Sequence, residues 1–254
     1  MKVTILGTGT SAGVPVIGCH CEVCASDDPR DRRMRCAALV ETSSARLLID
    51  CGPDIRQQLM PLEFRPIDAV LLTHVHYDHV GGIDDLRPFA VFGATHIYCD
   101  AKTARQIRTV MPYCFGDRLY PNVPIITLHV IEPGKPFCVG DVEIMPVEVM
   151  HGAMPILAFR IGGFAYVTDM KSIAPDQLPR LKGVDTLVVN ALRFDRPHHS
   201  HQLVGEAVAL GRDVGARRVL ITHVCHHIGR HEEARSRLPD GVELAYDGQT
   251  IDVV

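Results

Sequence analysis

The chain has 254 residues, 46% hydrophobic and 22% charged, which is enough apolar material for a sizeable core and too little charge for disorder. A formal net charge of −4 leaves no basic field of the kind that general nucleic-acid binding requires. No apolar run approaches the roughly 18 residues of a membrane span, and the opening residues lack the basic and long apolar regions of a targeting peptide.

In chain order, short runs rich in Val, Ile and Leu between Gly, Pro and Asp turns predict strands. They fall near 2–6, 37–42, 45–50, 68–73, 95–98, 124–130, 142–149, 156–161, 164–168, 185–190, 217–222, 242–246 and 249–253. Helical spacing predicts helices near 53–60, 82–88, 101–110, 174–181, 201–213 and 230–236. The 201–213 segment is the clearest, with Leu203, Val204, Ala207, Val208 and Leu210 in one stripe and Gly211 and Gly215 flanking its end. Hairpins early and strand–helix alternation later give a mixed α/β fold with helix-covered sheets. Nothing in the composition reads as a linker, so residues 1–254 are expected to form one domain.

Histidine, at 14 residues, and cysteine, at 9, are in excess, and ten of the histidines fall in three clusters: 74, 76 and 79; 198, 199 and 201; 223, 226, 227 and 231. Four apolar runs finish on a metal-capable side chain: at His74, at His151, at Asp169 and at His223. In α/β folds, ligands sit outside the carboxyl ends of strands, so residues at four such ends can converge. The segment His74-Val-His76-Tyr-Asp78-His79 adds three more ligands. In an extended chain, His74 and His76 point the same way and can hold one metal. Asp78 and His79 lie just beyond, at the turn, placed for a second. Imidazole and carboxylate donors suit Zn²⁺, Mn²⁺ or Fe²⁺ and leave room for water.

Cys19-His-Cys21-Glu-Val-Cys24 puts three thiols in six residues, which suits a structural Zn²⁺ lacking one ligand. His226 is the leading candidate for the fourth position, with His20 and Cys36 as competitors. An odd number of scattered cysteines argues against a disulfide framework and for a reducing, cytoplasmic setting. The glycines of Gly7-Thr-Gly-Thr-Ser11-Ala-Gly13-Val-Pro15 can either bring N–H groups to a phosphate or simply form a tight turn. Arg193 can clamp a phosphate or make a surface ion pair. A histidine near the site but free of metal, such as His201, can protonate a departing alkoxide.

The order His74-x-His76-x-Asp78-His79, His151, Asp169, His223 resembles that of the metallo-β-lactamase-fold hydrolases. That resemblance implies an αββα sandwich with a dinuclear site on its edge. It assigns His74, His76 and His151 to one metal and Asp78, His79 and His223 to the other, with Asp169 bridging. Asp50, in Asp50-Cys-Gly52, matches the family's Asp-x-Gly and would orient a metal-bound imidazole. The opening glycine turn, the Cys loop and the late Tyr246-Asp247-Gly248 are similar to the ribonuclease Z, cyclic phosphodiesterase and pyrroloquinoline quinone biosynthesis branches. They are most similar to the phosphoribosyl cyclic phosphodiesterases of the carbon–phosphorus lyase pathway. In those enzymes three Cys and a late His hold a non-catalytic zinc, and His201 matches the general acid.

The resemblance therefore implies hydrolysis of a small cyclic phosphodiester by a two-metal-activated hydroxide, with Asp78 orienting the nucleophile and His201 protonating the leaving group. The implied cofactors are two Zn or Mn ions and one structural Zn, and a homodimer is suggested. A ribonuclease Z-like RNA endonuclease and a non-catalytic accessory protein of cofactor biosynthesis are the alternatives. The 89–130 region carries no basic, glycine-rich arm and the chain is net acidic, which disfavours RNA.

Overall fold

The computed structural model describes residues 1–115 and 124–253. Residues 116–123, a part of the 89–130 region considered above, and residue 254 lie outside the described residues. In chain order the strands are β1 (Lys2–Gly7), β2 (Ala37–Glu41), β3 (Arg46–Ile49), β4 (Ala69–Leu71), β5 (Thr95–Cys99), β6 (Ile126–Val130), β7 (Phe137–Val139), β8 (Val142–His151), β9 (Met154–Ile161), β10 (Phe164–Val167), β11 (Thr186–Asn190), β12 (Arg218–Thr222), β13 (Val242–Leu244) and β14 (Thr250–Asp252). They form two seven-stranded sheets, ordered β14-β1-β2-β3-β4-β5-β6 and β13-β12-β11-β10-β9-β8-β7. The α-helices are α1 (Ile55–Leu59), α2 (Tyr77–Val80), α3 (Ala101–Val110), α4 (Val204–Val214) and α5 (His231–Ser236).

Strands such as β3 and β10 are buried at every position, because both faces of each sheet are covered. Between the sheets, Val40, Leu47 and Leu71 meet Phe159, Phe164, Tyr166 and Val188. Residues one step out of phase point the other way. Leu39, Leu48 and Val70 pack on Ile55 of α1, Ile83 and Ile107 of α3. On the far side Val167, Val189 and Ile221 pack on Val204, Ala207 and Leu210 of α4 and Ala234 of α5. Full burial of each large side chain contributes about 1.5–3 kcal/mol. The layers are helix, sheet, sheet, helix, as the resemblance implies.

Some elements differ from expectation. The segment 174–181 forms only a 3₁₀ turn at Leu178–Leu181, since Pro175 and Pro179 supply no N–H for an α-ladder. Pro88 likewise leaves Ile83–Phe92 as 3₁₀ rather than α. Strand β7, three residues between Pro136 and Gly140, escapes sequence reading yet pairs antiparallel with β8. The clearest predicted helix, α4, ends where Gly215 adopts a left-handed φ of 73°.

Parallel pairing of β3 with β4, and of β10, β11 and β12 with one another, lines their carboxyl ends along one edge. The sheets are tied at this edge: Leu157 N–H donates to the Thr73 carbonyl at 2.9 Å and Val224 N–H to that of Thr8 at 3.0 Å. Close approach there requires Gly52, where a Cβ would lie 2.1 Å from the Asp78 carbonyl oxygen. Gly52→Ala is therefore expected to lower stability by about 1–3 kcal/mol through overpacking. It should be read as a fall in the urea midpoint at unchanged slope; an unchanged midpoint would contradict the tight contact.

Candidate metal centre

The edge gathers the metal-capable residues into two adjoining clusters. The donor atoms of His74, His76 and His151 lie within 4.8 Å of one another, as do those of Asp78, His79, Asp169 and His223. His74 Nε2 stands 3.0 Å from His76 Nδ1. His79 Nε2 is 3.2 Å from both Asp78 Oδ2 and Asp169 Oδ2, and His223 Nε2 is 3.1 Å from Asp169 Oδ1. His74 leaves the end of β4, His76 caps α2, Asp78 and His79 lie within α2, His151 ends β8, Asp169 follows β10 and His223 follows β12. The turn expected at Asp78 and His79 is a short helix, α2, into which the metal motif itself curls.

Other side chains fix the imidazoles from behind. Asp50, fully buried, accepts from His79 Nδ1 at 2.7 Å, from the Thr73 amide at 2.9 Å and from the Thr73 hydroxyl at 3.0 Å. The Asp50 role implied by the resemblance thus has matching geometry: the bond leaves His79 Nε2 facing the site. The Ser200 carbonyl accepts from His151 Nδ1 at 3.0 Å and does the same there. Thr73, Ser200 and Asn190 were not singled out from sequence. Thr73 and Asn190 close strand runs just as the ligands do, so a polar residue at a strand end was the available signal.

Asp50, Asp169 and His223 have φ of 62°, 57° and 54°, three of the four left-handed non-glycine residues among those described. Each such backbone costs on the order of 1–3 kcal/mol and persists only where the surroundings hold it. At Asp169 the Asn190 amide does this, accepting from Met170 N–H at 2.8 Å and donating to the Met170 carbonyl at 3.0 Å.

The donor set fits a divalent cation. His79 Nε2 and both ring nitrogens of His223 are buried and have no hydrogen-bond partner, an arrangement that costs free energy unless something else takes the lone pairs. Burial pushes His74 and His223 below the usual imidazole range. Burial opposes the charge on Asp169, but His223 and His79 hold its carboxyl well below the usual carboxylate range. Unprotonated rings at His74 and His223 beside ionised carboxylates are what metal ligation requires. At His79, by contrast, burial is outweighed by the carboxylates of Asp169 and Asp50, which hold the ring above the usual imidazole range.

His201 lies against both clusters, its ring 4.7 Å from that of His151 and 4.8 Å from that of His223, with Nδ1 3.8 Å from Asp169 Oδ1 and no hydrogen bond. Its donor atom also groups with those of His151 and Asp169.

A separate cluster joins the Cys loop to the chain after β12. The sulfurs of Cys19, Cys21 and Cys24 lie 3.2, 3.4 and 3.3 Å from His226 Nδ1. A tetrahedral zinc with thiolate and imidazole ligands sets donors about 3.5 Å apart, so the four residues fit that ion. The competitors are elsewhere: Cys36 is buried against the Gly9 carbonyl and the Thr222 hydroxyl, and His20 is exposed. Cys21→Ser should remove one of the bound zinc equivalents and lower Tm by several degrees. The check is elemental analysis with a thermal melt, and unchanged zinc content would contradict the assignment.

The glycine turn is packed rather than open. The N–H groups of Gly9, Thr10, Gly13 and Val14 donate to the carbonyls of Met34, Val224, Thr10 and Arg33 at 2.7–3.0 Å. These four amides are therefore not available to a phosphate. Arg193 is held by its own loop, donating to the carbonyls of Asp195 and Arg196 at 3.1 and 2.9 Å.

A family profile described as Beta-lactamase superfamily domain matches residues 45–224. A protein of Porphyromonas gingivalis named Octanoyltransferase is 41% identical over 249 residues, covering 98% of this chain and 51% of that protein, so the chain spans about half its length. A coenzyme PQQ synthesis protein B of Methylobacterium radiotolerans is 32% identical over 221 residues, covering 74% of this chain and 72% of that protein. A crystal structure described as a new diphosphatase from the PhnP family superposes with a TM-score of 0.91 at 35% identity, covering 99% of this chain and 97% of that one.

Proposed function

Because the chain belongs to the β-lactamase superfamily, we propose that it is a dinuclear metal-dependent hydrolase acting on a small cyclic phosphodiester, a sugar or nucleoside cyclic phosphate. One observation carries this: buried carboxylates and partnerless imidazoles converge beside a further histidine that lies outside the two four- and three-residue ligand groups. His74, His76 and His151 would hold one ion and Asp78, His79 and His223 the other, with the Asp169 carboxylate available to both. Cys19, Cys21, Cys24 and His226 hold the structural zinc. Bound Zn or Mn ions supply Lewis acidity and make water nucleophilic at neutral pH.

The chain's own residues do the rest. Asp50 and the Ser200 carbonyl keep the Nδ1 protons of His79 and His151 so that each Nε2 serves the site. Asp78 accepts a hydrogen bond that orients the attacking water. His201 gives its proton to the departing oxygen, because an alkoxide is a poor leaving group unless protonated as it leaves. Burial, reinforced by His223, pushes the His201 pKa down to about 3, so the free site holds a neutral ring. An anionic phosphate beside it favours the charged form, so the ring takes up a proton from water as the substrate binds.

A second reading, a diphosphate bond as substrate, is favoured by the neighbour described as a diphosphatase. There the leaving group is a phosphate, which departs without an acid. The formal charge of −4 disfavours RNA, and the complete donor set disfavours an accessory protein without turnover. The chain acts as one hydrolase domain, and its nine unpaired cysteines suit a reducing, cytoplasmic setting. No helix among the described residues is long and apolar enough to cross a membrane.

The test is a screen of metal-reconstituted protein against nucleoside 2′,3′-cyclic phosphates, sugar cyclic phosphates and ADP-ribose, with folded transfer RNA as competitor. Turnover of cyclic esters is expected. Turnover confined to ADP-ribose supports the diphosphate reading, strong competition by transfer RNA supports the nuclease, and no turnover overturns both small-molecule readings.

A further inference from the structure

His198 has no task in the mechanism above, yet it stands at the mouth of the site. It lies on the loop between β11 and α4, and its ring centre is 4.9 Å from that of His201. His201 in turn is 4.7 Å from His151, so a row of rings runs from a metal-facing residue outward to His198. The tautomer of His198 is set by Ser200, whose backbone N–H donates to His198 Nδ1 at 3.4 Å, with the Ser200 hydroxyl 3.2 Å from the same atom. An imidazole that accepts at Nδ1 carries its proton on Nε2. No hydrogen bond is made by that Nε2–H among the described residues, and the ring is half-buried rather than loose in solvent.

Ser200 is itself buried and its carbonyl receives the Nδ1 proton of His151 at 3.0 Å. One residue therefore orients both an imidazole of the metal clusters and the outermost ring of the row. In the mechanism proposed above His201 meets the departing oxygen, which puts the neighbouring ring of His198 on the leaving-group side.

The geometry points to His198 as a leaving-group subsite residue. Its Nε2–H donates to a hydroxyl or phosphate oxygen of the leaving group, beyond the atom that departs. The substrates it favours are phosphoesters whose leaving group is rich in oxygen acceptors. This rests on the phosphodiesterase reading. A contact of this kind, made alike in the ground and transition states, lowers KM and leaves kcat nearly unchanged.

The test compares wild type, His198→Ala and His198→Gln, all metal-reconstituted, on adenosine 2′,3′-cyclic phosphate and on bis(4-nitrophenyl) phosphate, whose leaving group has no hydroxyl or phosphate oxygen. His198→Ala should raise KM for the cyclic nucleotide about fivefold to tenfold, the size of one lost neutral hydrogen bond, with kcat within about twofold. KM for the nitrophenyl ester and the metal content should not change. His198→Gln, whose amide nitrogen reaches the position of Nε2, should recover most of the loss. Equal KM changes on both esters, no change on either, or loss of metal from His198→Ala would overturn the assignment. A wild type that hydrolyses neither ester would instead overturn the phosphodiesterase reading, and this subsite with it.

Discussion

Asp169→Asn should abolish metal-dependent hydrolysis, lowering kcat/KM on bis(4-nitrophenyl) phosphate by about 10³-fold or more. Two divalent ions are worth several kcal/mol of transition-state stabilisation, and each 1.36 kcal/mol is about tenfold in rate. The carboxylate lies 3.2 Å from His79 Nε2 and 3.1 Å from His223 Nε2 in one cluster, and its donor atom also groups with that of His151 in the other, so its charge reaches both. Asparagine is the informative replacement, because the position has a φ of 57° and Asn tolerates that conformation better than Ala. The substitution then removes charge and leaves shape and backbone in place. Elemental analysis should show the edge cluster losing metal while the zinc held by the Cys loop stays. Full activity with a full metal complement would show that Asp169 is no ligand.

His201→Ala should separate substrates by their leaving groups. General acid catalysis is worth about 10²–10⁴-fold, and it is needed where an alkoxide departs. The variant should lose that factor on a nucleoside cyclic phosphate and less than about threefold on bis(4-nitrophenyl) phosphate, whose nitrophenolate leaves unaided. Metal content should be unchanged. Equal losses on both esters would move His201 from proton donor to metal ligand, a role its grouping with His151 and Asp169 makes geometrically open. If diphosphates are the substrates, the loss should be small throughout.

Much of the site was legible because its chemistry is local. His74, His76, Asp78 and His79 sit within six positions, and the other ligands each end an apolar run, where period and burial mark the strand. Helix-covered sheets follow from those same runs, since strands buried on both faces need cover on each side, whereas the stacking of two sheets was implied by the family resemblance. What remained hidden depends on chain reversals. Which histidine completes the Cys loop was undecided between His226, His20 and Cys36. Spacing carries no information on how the chain after β12 returns to residue 24, more than 200 positions earlier. Ser200 orients two histidines largely through its backbone, and backbone groups leave no trace in residue identity. The glycine turn was likewise open between an anion cradle and a tight turn. Its residue types suit an anion cradle, but the amides of Gly9, Thr10, Gly13 and Val14 are taken by backbone carbonyls, three of them from outside the turn. Prolines decided the remaining errors, breaking the apolar spacing of 174–181 into a single 3₁₀ turn.

The most direct measurement is hydrolysis of bis(4-nitrophenyl) phosphate by the wild-type chain before and after removal of its metals with a chelator. Metal-loaded protein should turn the ester over, chelated protein should not, and added Zn²⁺ or Mn²⁺ should restore the rate. Turnover that survives complete removal of metal, or no turnover with any divalent ion, would contradict a dinuclear phosphodiesterase at this edge of the fold.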